Sequence, residues 1–159
     1  MPQVQKNSRV EVHVDAAVPD VWAVVSDVPR VGEWSHECRA AVWSSGAGGP
    51  AVGARVRGRN RTGWLRWSRT CEIVAVDEPH EIVWRTVPSW LYPDSTEWGI
   101  QLRPSGRGTT ITQTFRVVRA PWLLDRLYAR LIPAHQDRDA RLEADLRRLG
   151  VAAERGGAR

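Results

Sequence analysis

Apolar residues recur along this chain in two rhythms, and the change of rhythm divides it. From Ser8 to Val14, the residues Val10, Val12 and Val14 alternate with Arg9, Glu11 and His13, the period-two pattern of a strand with one buried face. Pro19 and Asp20 then open AVPDVWAVVSD, where Val21, Trp22, Val24 and Val25 take helical spacing until Asp27, Pro29 and Gly32 stop it. A second short helical turn, PRVGEWSHE, carries Trp34. Arg39 to Trp43 predicts a short strand and SSGAGGP a loop. Ala54 to Arg61 predicts another strand, with Arg55, Arg57, Arg59 and Arg61 on one face and only Val56, Gly58 and Asn60 on the other. Small side chains on that second face leave room above the sheet. Thr62-Gly63 marks a hairpin. Leu65 to Val76 predicts the longest strand, bulged because the apolar phase shifts between Trp67, Cys71 and Ile73 and the later Val74 and Val76. Strands over Glu81 to Val87, Thr96 to Leu102 and Thr109 to Val118 follow, with DEPH and RPSGRG as turns.

Beyond Pro121 the period becomes helical. Leu124, Leu127, Tyr128, Leu131, Leu142, Leu146 and Leu149 fall on one stripe, while Arg126, Arg130, Arg138, Arg141, Arg147 and Arg148 lie mostly elsewhere. Pro133 removes a backbone donor, which predicts a kink or break there and a restart just after it. Gly150 predicts the stop, so residues 1–150 read as a single domain and 151–159 as a flexible tail. The order of elements predicts an α+β helix-grip fold. In it a curved antiparallel sheet of about seven strands has two short helices after its first strand, and a long C-terminal helix, kinked near Pro133, crosses the concave face.

Composition sharpens this picture in one respect. Nine tryptophans stand against one phenylalanine, and four of them, Trp43, Trp67, Trp84 and Trp98, sit on the predicted strands. Indole offers a broad apolar face and one N–H donor, so such a cluster lines a cavity for flat ligands as readily as it fills a core. The net charge of +5 rests on arginine, since Lys6 is the only lysine, and by itself says little about partners. No aromatic is interleaved with the arginine row of residues 55–61, so it reads as a solvated face that resists sheet association, and no nucleic-acid partner is expected. Cys38 and Cys71 have neither CxxC spacing nor companions, which indicates no disulfide framework and no zinc site. No run approaches the roughly 18 apolar residues of a membrane span, and the N-terminus has no apolar leader core. A cytoplasmic protein without stable membrane insertion, monomeric or homodimeric, is the expectation.

The segments VPDVWAVVSDVPRVGEWS, VGARVRGRN, LRWSRTCEIVAVDEPHEIVWRT, DSTEWGIQL and GTTITQTF, in this order, resemble the bacterial polyketide cyclase/dehydrase and lipid-transport branch of the SRPBCC (START-like) superfamily, over about residues 8–150. The resemblance implies a deep apolar cavity between sheet and long helix that binds, carries or cyclises hydrophobic molecules. It places Asn60, Trp67, Arg69, Trp84, Trp98, Gln113 and Phe115 on cavity strands, Trp34 on the second short helix and Tyr128 on the long helix. It supplies no universal catalytic motif, and no Asp/Glu–His pair stands among these positions. Neither cofactor nor metal is implied.

Several of these side chains carry their own physical demands. Arg69, in phase with Trp67, brings a guanidinium inside and then needs a carboxylate partner or an anionic ligand group, unless the bulge turns it outward. Asn60 and Gln113 orient a ligand carbonyl or satisfy backbone groups. The loop PSWLYPD holds Trp90, Leu91 and Tyr92 between prolines, and with Trp64 at the neighbouring hairpin tip it reads as a cavity mouth, a docking patch or a rim packed on itself. The histidines do not converge in sequence: His13 is outward on the first strand, His36 follows the short helices and His80 sits on a turn. His135, with Asp137 and Asp139, matches no standard ligand spacing. Three functional readings follow: a binding or carrier protein for a hydrophobic small molecule, a cyclase, aromatase or dehydratase using Asn60, Arg69, Gln113 or Tyr128, and a sensor or interaction module using the Trp90 loop.

Overall fold

A computed structural model describes residues 3–44 and 46–157. The strands are β1 (Asn7–Val14), β2 (Cys38–Ser44), β3 (Arg55–Thr62), β4 (Leu65–Asp77), β5 (Glu81–Thr86), β6 (Ser95–Ser105) and β7 (Gly108–Arg119). They form one antiparallel sheet in the order β1-β7-β6-β5-β4-β3-β2. The short helix α1 (Val18–Val25) and a 3₁₀ turn over Val28–Glu33 connect β1 to β2, and α2 (Trp122–Leu131) and α3 (Asp139–Gly157) close the chain. This is the helix-grip α+β fold expected from the order of elements.

The alternating pattern sets the register. Val10, Val12 and Val14 point inward from β1 opposite Gln113, Ile111 and Thr109 of β7. One inward row runs across the sheet from Ile73 through Trp84 and Trp98 to Phe115. The β4 irregularity lies between Ile73 and Ala75, so Val76 returns to the inward phase and pairs with Ile82. Arg69 lies before that shift and keeps its inward direction.

The inner face is covered unevenly. Leu142, Leu146 and Leu149 of α3 bury themselves against α1, β1 and β7, together with Val21, Val24, Leu102 and Ile111. That half is a dry core. Over the remaining strands the roof is α2, which chiefly approaches the turn that follows it rather than any strand.

Of the kink or break expected at Pro133, the structure shows the break: Pro133 lacks the N–H that would continue α2 and starts a 3₁₀ turn over Pro133–His135, after which α3 restarts. The expectation at the far end of α3 is corrected. Gly150 does not end α3, which runs on to Gly157 with Ala153 fully buried, so the expected frayed tail is helical there, and its last two residues lie outside the described residues. Gly150 is instead a contact glycine: a Cβ there would stand 2.4 Å from Cγ1 of Val14 and 2.8 Å from its Cβ. The absent side chain lets α3 approach β1.

Gly150→Ala is therefore expected to destabilise the fold by about 1–3 kcal/mol through overpacking, although alanine is the better helix former by about 1 kcal/mol. The cost should fall by at least half in a Val14→Ala background. Urea denaturation of the four proteins measures this, and a Gly150→Ala variant as stable as the parent overturns the packing role.

Candidate functional site

Between the uncovered half of the sheet, the 3₁₀ turn and α2 lies a cavity of about 440 Å³. The protein's own strand register builds it. Small inward residues on β2 and β3, Ala41, Val56 and Gly58, leave depth where bulkier ones would fill it. All nine residues expected at the cavity, Trp34, Asn60, Trp67, Arg69, Trp84, Trp98, Gln113, Phe115 and Tyr128, lie on its wall. Of the three expected at the mouth, Tyr92 lines the cavity, whereas Trp64 is 84% and Trp90 92% exposed and neither reaches the wall. Trp90 is not tucked against the rim, because Ser89 and Tyr92 close a tight turn that points it outward.

The wall is a set of ordered rings. Trp84 and Trp98 are near-parallel at 8° with centroids 6.5 Å apart, and Phe115 follows at 5.0 Å from Trp98. On β4 of the same inner face, Arg69 meets the need that its inward direction creates: Nη1 donates to Asp94 Oδ2 at 3.0 Å and Nη2 to the Asp94 carbonyl at 3.1 Å, with the Tyr92 ring 5.2 Å from the guanidinium. Burial, with the Asp94 charge adding to it, raises the Tyr128 phenol above its ordinary pKa and keeps it a donor.

Two further segments converge on the cavity that sequence order did not bring together. His135 Nε2 lies 2.8 Å from Glu37 Oε1, although the two are 98 positions apart. His36 Nδ1 lies 2.7 Å from Oδ2 of the buried Asp145, whose Oδ1 accepts the His36 backbone N–H at 3.0 Å and also meets Arg148. His36 Nε2 is 4.0 Å from Glu37 Oε2, so two imidazoles and two carboxylates alternate along the wall. The expectation that the histidines stay apart, with no Asp/Glu–His pair at the cavity, is thus corrected. Local pattern could not reveal it, because SHEC precedes β2 and HQDRD fills the helix break, and only packing of α3 on the 3₁₀ turn joins them. His135 also turns away from Asp137 and Asp139; Asp139 instead accepts hydrogen bonds from Gln5 and Ser8. Among the described residues no group of three or more acidic, histidine or cysteine side chains is arranged to hold a metal.

Arg138, expected on the polar side of the helix, is 8% exposed and lines the cavity. Its guanidinium lies over the rings of Trp98, at 5.6 Å, and Phe115, at 5.4 Å.

With this geometry in place, comparison with known proteins gives a consistent result. The sequence profile of the polyketide cyclase / dehydrase and lipid transport family matches residues 5–154. The chain belongs to this family. No curated protein sequence matches it. Among solved structures it is similar to protein NE0264 from Nitrosomonas europaea, at TM-score 0.68 and 12% identity over 97% of both chains. It is also similar to ginseng major latex-like protein 151 from Panax ginseng, at TM-score 0.64 and 13% identity over 91% of this chain and 95% of that one. The Polyketide_cyc-like protein Cgl2372 from Corynebacterium glutamicum gives TM-score 0.51 and 24% identity over 95% and 85%. At these identities the structural likeness concerns the fold.

Within this polyketide cyclase / dehydrase and lipid transport fold, the chemistry at the wall is acid–base and hydrogen bonding. Cys38 and Cys71 also line the cavity, but burial pushes their thiols up to about 11 and about 12, so neither supplies a thiolate near neutral pH. For Glu37, burial pushes the carboxyl up, yet the His135 hydrogen bond and the charges of Arg138, His135 and His36 outweigh it and hold the group at about 2. Burial lowers the His135 pKa below its ordinary value, only partly offset by Glu37. Near neutral pH an ionised Glu37 only accepts, so His135 donates through Nε2 and keeps its lone pair on Nδ1. Among the described residues no helix is long and apolar enough to cross a membrane.

Both shifts make the fold sensitive to acid. Glu37 binds its proton more weakly folded than unfolded, so its contribution is present above pH 4.5 and is lost as pH falls from there through about 2. His135 is also depressed, so its contribution is present above pH 6.5 and is lost as pH falls through the folded value. Urea midpoints measured from about pH 8 down to about pH 3 should decline in both windows, and Glu37→Gln should flatten the lower one. An unchanged acid limb in Glu37→Gln overturns the assignment.

Proposed function

We propose that this protein binds or carries a flat, apolar small molecule in the cavity between its sheet and its C-terminal helices. The observation that carries this reading is the cavity itself. Protein interiors hold few voids larger than one water, whose share of liquid volume is about 30 Å³, so 440 Å³ is no packing defect. The volume falls in the range of small-molecule sites, about 300–1,000 Å³. Near-parallel Trp84 and Trp98 with Phe115 offer ring faces to a flat ligand, while Asn60, Gln113 and Tyr128 supply the few polar contacts that fix orientation. The hydrophobic ligands of the family point the same way.

A second reading, cyclisation or dehydration of a poly-β-ketone, rests on a different observation, the Glu37–His135 pair at the wall. In that reaction His135 Nδ1 removes a proton from a carbon between two carbonyls. The enolate carbon then attacks a distant carbonyl of the same chain, and the new alkoxide takes a proton back. Glu37 fixes the tautomer and stabilises the imidazolium, and the cavity holds the chain bent.

The binding reading is tested by titrating flat apolar compounds against the purified protein while following tryptophan fluorescence and thermal stability. Quenching with a raised melting temperature is expected, and Trp98→Ala should weaken binding by about tenfold through loss of ring contact. A broad library that changes neither signal overturns it. Turnover of a poly-β-ketone surrogate that persists unchanged in both His135→Gln and Glu37→Gln removes the second reading.

A further inference from the structure

The charged groups around the cavity can be matched one against another. Lys6 pairs with Asp125, Arg69 with Asp94, His135 with Glu37, and Asp145 with His36 and Arg148. Asp27 and Arg66, which also line the cavity, are exposed, so among the described residues on the wall Arg138 is the buried charge left over. Its backbone N–H donates to Gln5 Oε1 at 2.7 Å, but its guanidinium forms no hydrogen bond or ion pair with any described residue, and Nε is fully buried without a partner. A guanidinium presents five donors in a planar fork and keeps its charge, so burying it in this state costs several kcal/mol unless something completes it. Glu37 and Asp94 act on it only from a distance, Glu37 accepting a hydrogen bond from the neutral His135 and Asp94 pairing with Arg69. Gln113, 3% exposed, lies two residues before Phe115 on the inward face of β7, and its Oε1 also lacks a partner.

We infer that Arg138 is an oxyanion subsite, and that the flat apolar ligand carries a carboxylate which docks on its guanidinium while its ring system lies along Trp98 and Phe115. This rests on the binding reading proposed above and narrows it to a chemical class. The planar fork matches the two oxygens of a carboxylate. A monoanion fits better than a phosphate dianion, because Glu37 and Asp94 are near enough for their charges to bear on Arg138 and would oppose the second negative charge. The aromatic surface flanking the guanidinium favours an aryl or otherwise conjugated acid over a free inorganic ion.

The test is calorimetric titration of the full chain near pH 7.5 with β-naphthoate and with its neutral isostere β-naphthamide. The carboxylate is expected to bind at least about tenfold more tightly than the amide. In Arg138→Met, which keeps an apolar stem of similar length, that preference should fall to within about twofold while amide affinity stays unchanged. Equal binding of the two compounds by the parent protein, or a preference that survives in Arg138→Met, overturns the subsite and leaves the cavity reading standing. Binding of neither compound overturns both for aryl ligands. The comparison in the parent protein decides the matter even if Arg138→Met fails to fold.

Discussion

Everything in this molecule follows from a mismatch of widths. Seven strands spaced about 4.8 Å apart make an inner face nearly 30 Å across, whereas one helix with its side chains is about 10–12 Å wide. A single helix laid on such a sheet must leave much of it uncovered. Here α3 takes the β1–β7 side and seals a dry core there, drawn close by Gly150 against Val14. The β6–β3 side is left to side chains and a second, detached helix. Large rings on β4, β5, β6 and β7 reduce the opening without filling it, since small residues face them from β2 and β3. The cavity is the residue of that mismatch, and Trp34, Trp67, Trp84 and Trp98 line it.

A hollow next to a core must also be held in shape, and the polar cluster does this. Asp145, almost fully buried on α3, gathers the backbone and ring of His36 and the guanidinium of Arg148, and Arg148 reaches on to the carbonyl of Trp34. These bonds fix the 3₁₀ turn and the start of β2 to the helix across the cavity floor. Glu37 and His135 repeat the device one step outward, between β2 and the helix break. Buried pairs of this kind add little net stability over apolar packing, but removing one partner is costly, so they specify one arrangement. The same groups that fix the wall are those able to do chemistry on whatever lies against it.

The legible part of this structure was the part in which neighbours in sequence share a task. Alternation placed the valines of β1 and the rings of β4 to β7, and the phase shift after Ile73 located the bulge. For Arg69 the phase with Trp67 left inward and outward directions both open, and the structure decides for inward because the irregularity falls beyond Ile73, with Asp94 as the partner that direction needs. What escaped was decided by long-range packing. Gly150 looks like a helix stop in isolation, and only the nearness of Val14 gives it another purpose. The stripe of leucines divides at Pro133: Leu142, Leu146 and Leu149 bury, whereas Leu127 and Leu131 stay about half exposed. Arg138 falls on the polar side of a single continuous helix, but the break rotates its segment and turns it inward. Glu37 and His135 have no local signature at all, because their partnership exists only once α3 has docked.

The roof carries the last step. On α2 the usual distribution is inverted: Trp122 and Leu123 are well exposed, while Asp125 and Ala129 are buried. Its inner residues Leu124 and Tyr128 face the cavity and not a packed core, so they gain little of the contact that holds α3 in place. What ties α2 down at its start is the pair between Asp125 and Lys6, the chain's only lysine, and at its end the hydrogen bond from Gln136 to the Ala129 carbonyl at 2.8 Å. Free energy of local opening scales with such contacts, so the element over the cavity is the one least expensive to lift, and the core beneath α3 the most. On the binding reading proposed above, lifting α2 would open the cavity while the half of the fold that supplies its stability stays closed.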